Sequence, residues 1–240
     1  MEYLLEVREI SKAFVAPALD SFTLGVCAGE AVGIVGPNGA GKTTLLNVIV
    51  GDIMPDSGAI IFRDHEITEL SADQRCRRGI AKASQVPRPF EGLTVFENVL
   101  TASTFGREGD NKDDLEIAAE CLRNMDLLAK ANTVAGSLAL LDRKRLELAR
   151  AMATSPEVLL LDEIAGGLTE AEVHVLVEKI KEIHSGGMTI VWIEHVVHAL
   201  MQVAGRMVAM SFGKKIAEGQ PDEVMASAVV REVYLGVEPE

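Results

Sequence analysis

Residues 36–43 read Gly-Pro-Asn-Gly-Ala-Gly-Lys-Thr, between the apolar run AVGIV at 31–35 and the stretch TTLLNVIVG that begins at Thr43. This G-x-x-x-x-G-K-T octet restricts the fold more than any other feature, because it needs a strand in front of it and a helix behind it. The glycines let the backbone curl until consecutive N–H groups face one anion, and the positive end of the following helix adds to their pull. In that geometry Lys42 reaches the β- and γ-phosphates, and the Thr43 hydroxyl is placed to ligate Mg²⁺. At average composition the bare pattern arises by chance in about one chain in a hundred of this length. The expected ligand is a nucleoside triphosphate, held by Gly36, Pro37, Asn38, Gly39, Ala40, Gly41, Lys42, Thr43 and Thr44.

The run VLLLDE at 158–163 supplies a counterpart. Four apolar residues make a buried strand, and Asp162 falls at its carboxyl end, where ligands gather in open α/β sheets. Asp162 is expected to hold Mg²⁺ directly or through water, and Glu163 to orient or deprotonate an attacking water. An acidic turn after a core strand would be the ordinary reading of the hexapeptide by itself. Beside the phosphate loop, the chemical reading takes precedence.

Strand patterns at 3–10, 31–35, 57–64, 80–84, 157–162, 188–194 and 206–211 alternate with helical stretches, which predicts an α/β fold with a mainly parallel sheet. From about 87 to 154 the pattern turns helical, with a capping-box sequence at 94–97 and a long amphipathic pattern over 113–130. A second capping box, TEAE at 169–172, opens a helix ending near Gly186. The segment GSLALLDRKRLELARAM at 136–152 predicts a helix from near Asp142, with Leu146, Leu148, Ala149 and Met152 on its buried face.

The balance of 36 acidic against 23 basic residues gives a net charge of −13, which argues against a non-specific nucleic-acid or anionic-membrane surface. Cys27, Cys76 and Cys121 are odd in number and lack metal-ligand spacing, as expected of reduced cysteines in an intracellular protein. The first ten residues alternate like a strand rather than a signal peptide, and no apolar run reaches bilayer-spanning length.

With these motifs in place, the chain resembles the ATP-binding subunits of ABC transporters over nearly its whole length. Gln85 stands after a short strand and before the helical stretch, matching the family's Q-loop glutamine; His195, after TIVWIE, matches the switch histidine; Phe14 matches the aromatic that stacks on adenine. Glu163, His195 and Gln85 would then be catalytic, and Thr43, Gln85 and Asp162 would hold the metal, with ATP and Mg²⁺ as cofactors. The resemblance implies a P-loop NTPase core with an N-terminal antiparallel β-subdomain, spanning 1–86 and 157–240, and an α-helical subdomain over 87–156. It also implies integral membrane permease partners, a second ABC ATPase subunit (a heterodimer rather than a homodimer), no nucleic acid, and a peripheral place on the cytoplasmic face of the membrane. The stretches IAGGL (164–168), IEHVVHALMQVAGRMVAM, GKKIAEGQPDEVM and the ending VYLG look like the branched-chain amino acid type. That points to import of branched-chain or related amino acids, with urea and lipopolysaccharide systems as alternatives. Gln85 to about Leu100, with Phe90 and Phe96, would form the groove that receives the permeases.

Three departures accompany the resemblance. The family signature, Leu-Ser-Gly-Gly-Gln, aligns with Leu138-Ala139-Leu140-Leu141-Asp142, which lacks the hydroxyl and both glycines. Asp142 is expected to cap its own helix and oppose an approaching phosphate with like charge. Ile164 replaces a usual proline, and 166–170 lacks the usual Asp or Asn-Pro of the D-loop. Because the family's site closes in trans, the altered signature would weaken the partner's site and leave this chain's own complete, while the other two changes would loosen communication between sites. A weakly hydrolytic, nucleotide-dependent dimerisation switch is therefore the alternative function. A P-loop kinase or GTPase is disfavoured, since no guanine-reading Asn-Lys-x-Asp appears.

Overall fold

The computed structural model describes residues 2–107 and 113–235; Gly236, the last residue of VYLG, lies outside them. The chain opens with strands β1 (Leu5–Ala13), β2 (Pro17–Val26) and β3 (Ala31–Val35), then helix α1 (Lys42–Val50). Strands β4 (Ser57–Phe62) and β5 (His65–Glu66), helix α2 (Ala72–Arg77) and strand β6 (Ile80–Ala83) follow. Three helices come next, α3 (Val95–Phe105), α4 (Asp114–Asn124) and α5 (Leu140–Ala153), before β7 (Val158–Asp162). The rest is α6 (Glu170–Ser185), β8 (Thr189–Ile193), α7 (Val197–Leu200), β9 (Arg206–Ser211), β10 (Lys214–Gly219), α8 (Pro221–Ala226) and α9 (Ala228–Leu235).

Two sheets organise these elements. The first is antiparallel, in the order β2-β1-β4-β5; the second has six strands in the order β10-β9-β3-β8-β7-β6. In the second, β3 runs parallel to β8 and β9, and β7 parallel to β6 and β8, while β10 returns antiparallel along β9. The carboxyl ends of β3, β7 and β8 therefore meet along one edge, which is where a doubly covered sheet receives ligands.

Every residue of β3, β7 and β8 is buried, as expected for strands covered on both faces. In β7, Leu159 and Leu161 face a core shared with Val95, Val99, Leu122, Leu146 and Leu148 of the three helices. Val158 and Leu160 face the opposite core, with Leu45 and Ile49 of α1 and Leu5, Val7, Phe22 and Ile60 of the antiparallel sheet. The six-stranded sheet is thus the middle layer, and its two cores are separately filled.

Helix α5 starts at Leu140, earlier than the apolar pattern suggests, with Ala139 as its N-cap residue. Asp142 does not cap the helix; its carboxylate is paired with Lys130 and lies 3.7 Å from Arg145. The amphipathic pattern over 113–130 is also interrupted: α4 stops at Asn124, Asp126 adopts φ 56°, and Leu128–Lys130 form a separate 3₁₀ turn. Both capping boxes form, at Thr94–Glu97 and at Thr169–Glu172.

Candidate functional site

Between β3 and α1 the backbone folds into the tight loop required by the octet. Gly41 is the N-cap of α1 at φ 99°, and a Cβ there would lie 2.2 Å from the Ala18 carbonyl oxygen. No side chain caps this helix end, so its N–H groups remain available to an anion. Lys42, almost fully buried, donates from Nζ to the carbonyls of Gly36 (2.8 Å) and Pro37 (3.1 Å). Burial pushes its pKa down, against the upward pull of Glu163 and Asp162. A cleft of ≈ 310 Å³ opens here, lined by Asn38 through Thr44 together with Phe14, Ala18 and Glu163. Phe14 is 61% exposed at the mouth of this cleft, so it is not a core residue.

Asp162 ends β7 beside α1. Its Oδ1 lies 3.3 Å from Thr43 Oγ1, and its Oδ2 lies 3.1 Å from Lys82 Nζ. Two hard oxygen donors, a hydroxyl and a carboxylate, thus face one point beside the phosphate loop. That donor set suits a divalent cation such as Mg²⁺, which takes one or two protein oxygens and completes its shell with phosphate and water. Among the described residues no group of three or more His, Cys, Asp or Glu is placed to hold a metal without the help of a nucleotide.

Glu163 turns the chain out of the sheet at φ 48°, a conformation that non-glycine residues adopt sparingly and that recurs at functional sites. Its N–H donates to the Ile193 carbonyl at 2.8 Å, which fixes this turn to the end of β8. The carboxylate is held from two sides: Gln85 Nε2 donates to Oε2 at 2.7 Å, and His195 Nε2 lies 2.8 Å from Oε1. The structure therefore brings Gln85, Glu163 and His195 into one cluster, next to Lys42, Thr43 and Asp162. Such a carboxylate, flanked by an amide and an imidazole, can orient a water and take its proton.

Three further groups, not singled out from the sequence, support the cluster. Lys82, mostly shielded, pairs with Asp162. Lys144 of α5 donates to the Gln85 carbonyl, and burial lowers its pKa. Glu194 is 1% exposed, and its carboxylate accepts from the N–H groups of Ala165 (2.6 Å) and His195 (3.2 Å). Burial raises its pKa, opposed by backbone N–H groups of Ala165, Val196 and His195. The signal for Glu194 was present, because an acid ending an apolar strand and preceding a histidine needs a buried partner.

The first turn of α5 packs against the loop that follows Glu163, at Gly167. Ala139 offers no side-chain cap, and the Leu140 side chain, 41% exposed, rests against Gly167. Ser137 Oγ donates back to the Val134 carbonyl at 2.8 Å, so it does not substitute for a hydroxyl at position 139.

A family model described as "ABC transporter" matches residues 19–166, which include the phosphate loop, Gln85 and the Asp162–Glu163 pair. The chain belongs to the ABC transporter ATP-binding family. It is an ATP-hydrolysing cassette of that family. A second model, the branched-chain amino acid ATP-binding cassette transporter, matches residues 214–240. The chain is 35% identical over 236 residues to the high-affinity branched-chain amino acid transport ATP-binding protein LivG of Escherichia coli (strain K12), covering 91% of this chain and 92% of that protein. It is 31% identical over 238 residues to the lipopolysaccharide export system ATP-binding protein LptB of Acidithiobacillus ferridurans, covering 98% of each. Among solved structures, the ADP conformation of an ATP-binding cassette of an ABC transporter superposes with a TM-score of 0.87 at 29% identity, covering 99% of this chain and 100% of that one. This cassette therefore has the ABC ATPase fold, with the antiparallel sheet on one side of the six-stranded sheet and α3–α5 on the other.

Proposed function

We propose that this cassette binds and hydrolyses MgATP to drive import of branched-chain or related amino acids through separate membrane permeases. The observation that carries the reaction is the convergence of Lys42, Thr43, Asp162, Glu163, Gln85 and His195 around one loop. Lys42 and the N–H groups of the loop and α1 bind the phosphates, while Phe14 meets the adenine at the open side of the cleft. Thr43 and Asp162 would hold Mg²⁺, with the Gln85 amide oxygen a further ligand once it turns from Glu163; such a cation would supply neutralisation of phosphate charge. Glu163 orients the attacking water and accepts its proton, and His195 steadies that carboxylate and contacts the γ-phosphate. The solute assignment is supported by the match over 214–240 and by the LivG relative, against a lipopolysaccharide relative of similar coverage.

The cassette works as a peripheral subunit on the cytoplasmic face. Among the described residues no helix is long and apolar enough to cross a membrane; the permease partners follow from the family and its LivG relative. Phe90 is half exposed, with its ring 5.3 Å from the Arg150 guanidinium, and it fronts the surface offered to them. The second cassette of the pair is a different chain, because Leu140 and Leu141 bring bulk where a backbone must approach phosphate. The charge objection falls away, since Asp142 is compensated by Lys130 and Arg145.

The residue-level test is Glu163→Gln. It should keep ATP binding and slow hydrolysis by about a hundredfold or more. Unchanged hydrolysis would remove Glu163 from the reaction. A dimerisation switch with little turnover is the second reading, favoured by Leu140 and Leu141 at the start of α5.

A further inference from the structure

Asp162 is compensated in an unusual way. Among the described residues Lys82 is the one cation within ion-pairing distance of it, with Nζ 3.1 Å from Oδ2. The two side chains are 14% and 6% exposed, so water screens the pair weakly. The same ammonium donates to Asn47 Oδ1 at 2.6 Å. Asn47 belongs to α1, the helix that also carries Lys42 and Thr43. Lys82 therefore joins three elements: β6, which bears it, β7 through Asp162, and α1 through Asn47. Its pull on Oδ2 leaves Oδ1 facing Thr43. Lys42, the other buried cation nearby, gives its hydrogen bonds to loop carbonyls.

We propose that Lys82 is a positioning residue and resident counter-cation for Asp162: it presents one carboxylate oxygen toward Thr43 and keeps the vacant site from recruiting a free divalent cation, so that the cation enters with the nucleotide. This rests on the reading of Asp162 as a cation ligand. Two adjacent acids at a sheet edge, Asp162 and Glu163, would otherwise attract divalent cations strongly. Glu163 is held by Gln85 and His195, which leaves Lys82 to neutralise Asp162. The ammonium sets the threshold for metal entry without touching nucleotide.

The test is binding of Mn²⁺, followed by its electron paramagnetic resonance signal, to the purified protein with and without ADP. Lys82→Met removes the charge and keeps most of the apolar stem; Lys82→Gln also keeps a polar contact to Asn47 should the first variant misfold. Either neutral variant should bind nucleotide-free Mn²⁺ about tenfold or more tighter than wild type, while Lys82→Arg should stay near wild type. Asp162→Asn should weaken Mn²⁺ binding in the presence of ADP. Neutral variants with wild-type Mn²⁺ affinity, beside an Asp162→Asn that behaves as stated, would overturn the role of Lys82. An Asp162→Asn that leaves ADP-dependent Mn²⁺ binding unchanged would overturn the cation-ligand reading and the inference with it.

Discussion

Glu163 shows how much one residue's surroundings determine its use. Its backbone is held in a sparsely populated conformation by the N–H bond to Ile193, and its two oxygens are engaged by Gln85 and His195. The strand-end acidic pair points to Glu163, whereas Gln85 and His195 are assigned by the family resemblance. Lys82 is not legible locally, since its importance depends on pairings across strands; Glu194 is legible as an acid at the end of an apolar strand, but its Ala165 partner is not. Asp142 illustrates the opposite failure. It has the composition of a helix cap, yet the helix begins two residues earlier and the carboxylate turns to Lys130. On the reading of 138–142 as an altered signature, Ala139 and Leu141 stand where the family has a serine and a glycine. Introducing Ser at 139 and Gly at 141 together should raise ATP turnover at the site this chain completes for its partner cassette. A glycine in the first turn costs the helix about 1 kcal/mol, so thermal stability should fall slightly while turnover rises. An unchanged turnover would mean these positions do not limit the rate.

At the level of elements, strands with simple patterns were read from the sequence within a residue or two. The buried runs at 31–35 and 206–211 coincide with β3 and β9. The sequence reading missed β2, where Ser21 adopts φ 49° and register shifts against β1 break the alternation. It also missed β10, a partly exposed return strand, and the short helices α2 and α8. These elements are specified by partners rather than by period. Arg75 of α2 is an example: fully buried, it donates to the carbonyls of Leu70 (3.0 Å), Val48 (2.7 Å), Ile49 (2.9 Å) and Thr68 (2.5 Å). It thereby satisfies the end of α1, and burial lowers its pKa to about 10. Arg75→Met would remove the donor from the Ile49, Leu70 and Thr68 carbonyls, and denaturant unfolding should report a loss of about 2–4 kcal/mol.

A second clamp ties β9 to the turn before β3. Arg206 donates to both Glu30 oxygens (2.6 and 2.9 Å) and to the Gly25 carbonyl (2.6 Å). Burial alone would raise the Glu30 pKa, but the Arg206 hydrogen bond, the Cys27 N–H and the Arg206 charge together hold it below the ordinary 4.5. The folded state then binds fewer protons than the unfolded state in that range. The stabilisation is present above the ordinary value and is lost as pH falls through the lowered one. Glu30→Gln should therefore flatten the acid limb of the stability profile below the ordinary value of 4.5. An acid limb identical to wild type would show that the clamp does not titrate with folding.

On the scale of the whole molecule, two packed cores on a six-stranded sheet position the phosphate loop, the acidic pair and the histidine along one edge. The α3–α5 layer shares a core with the sheet and reaches the site through Lys144 and the Gln85 carbonyl. The net charge of −13 adds no general attraction for nucleotide, so binding depends on the local cations and the loop. The central claim is that this architecture is a working motor subunit. The most direct measurement is steady-state phosphate release from MgATP by the purified chain, alone and after addition of the second cassette of its own transport system. The account predicts turnover that rises when that cassette is added and disappears with Lys42→Ala. Tight ATP binding with no turnover in either condition would contradict it.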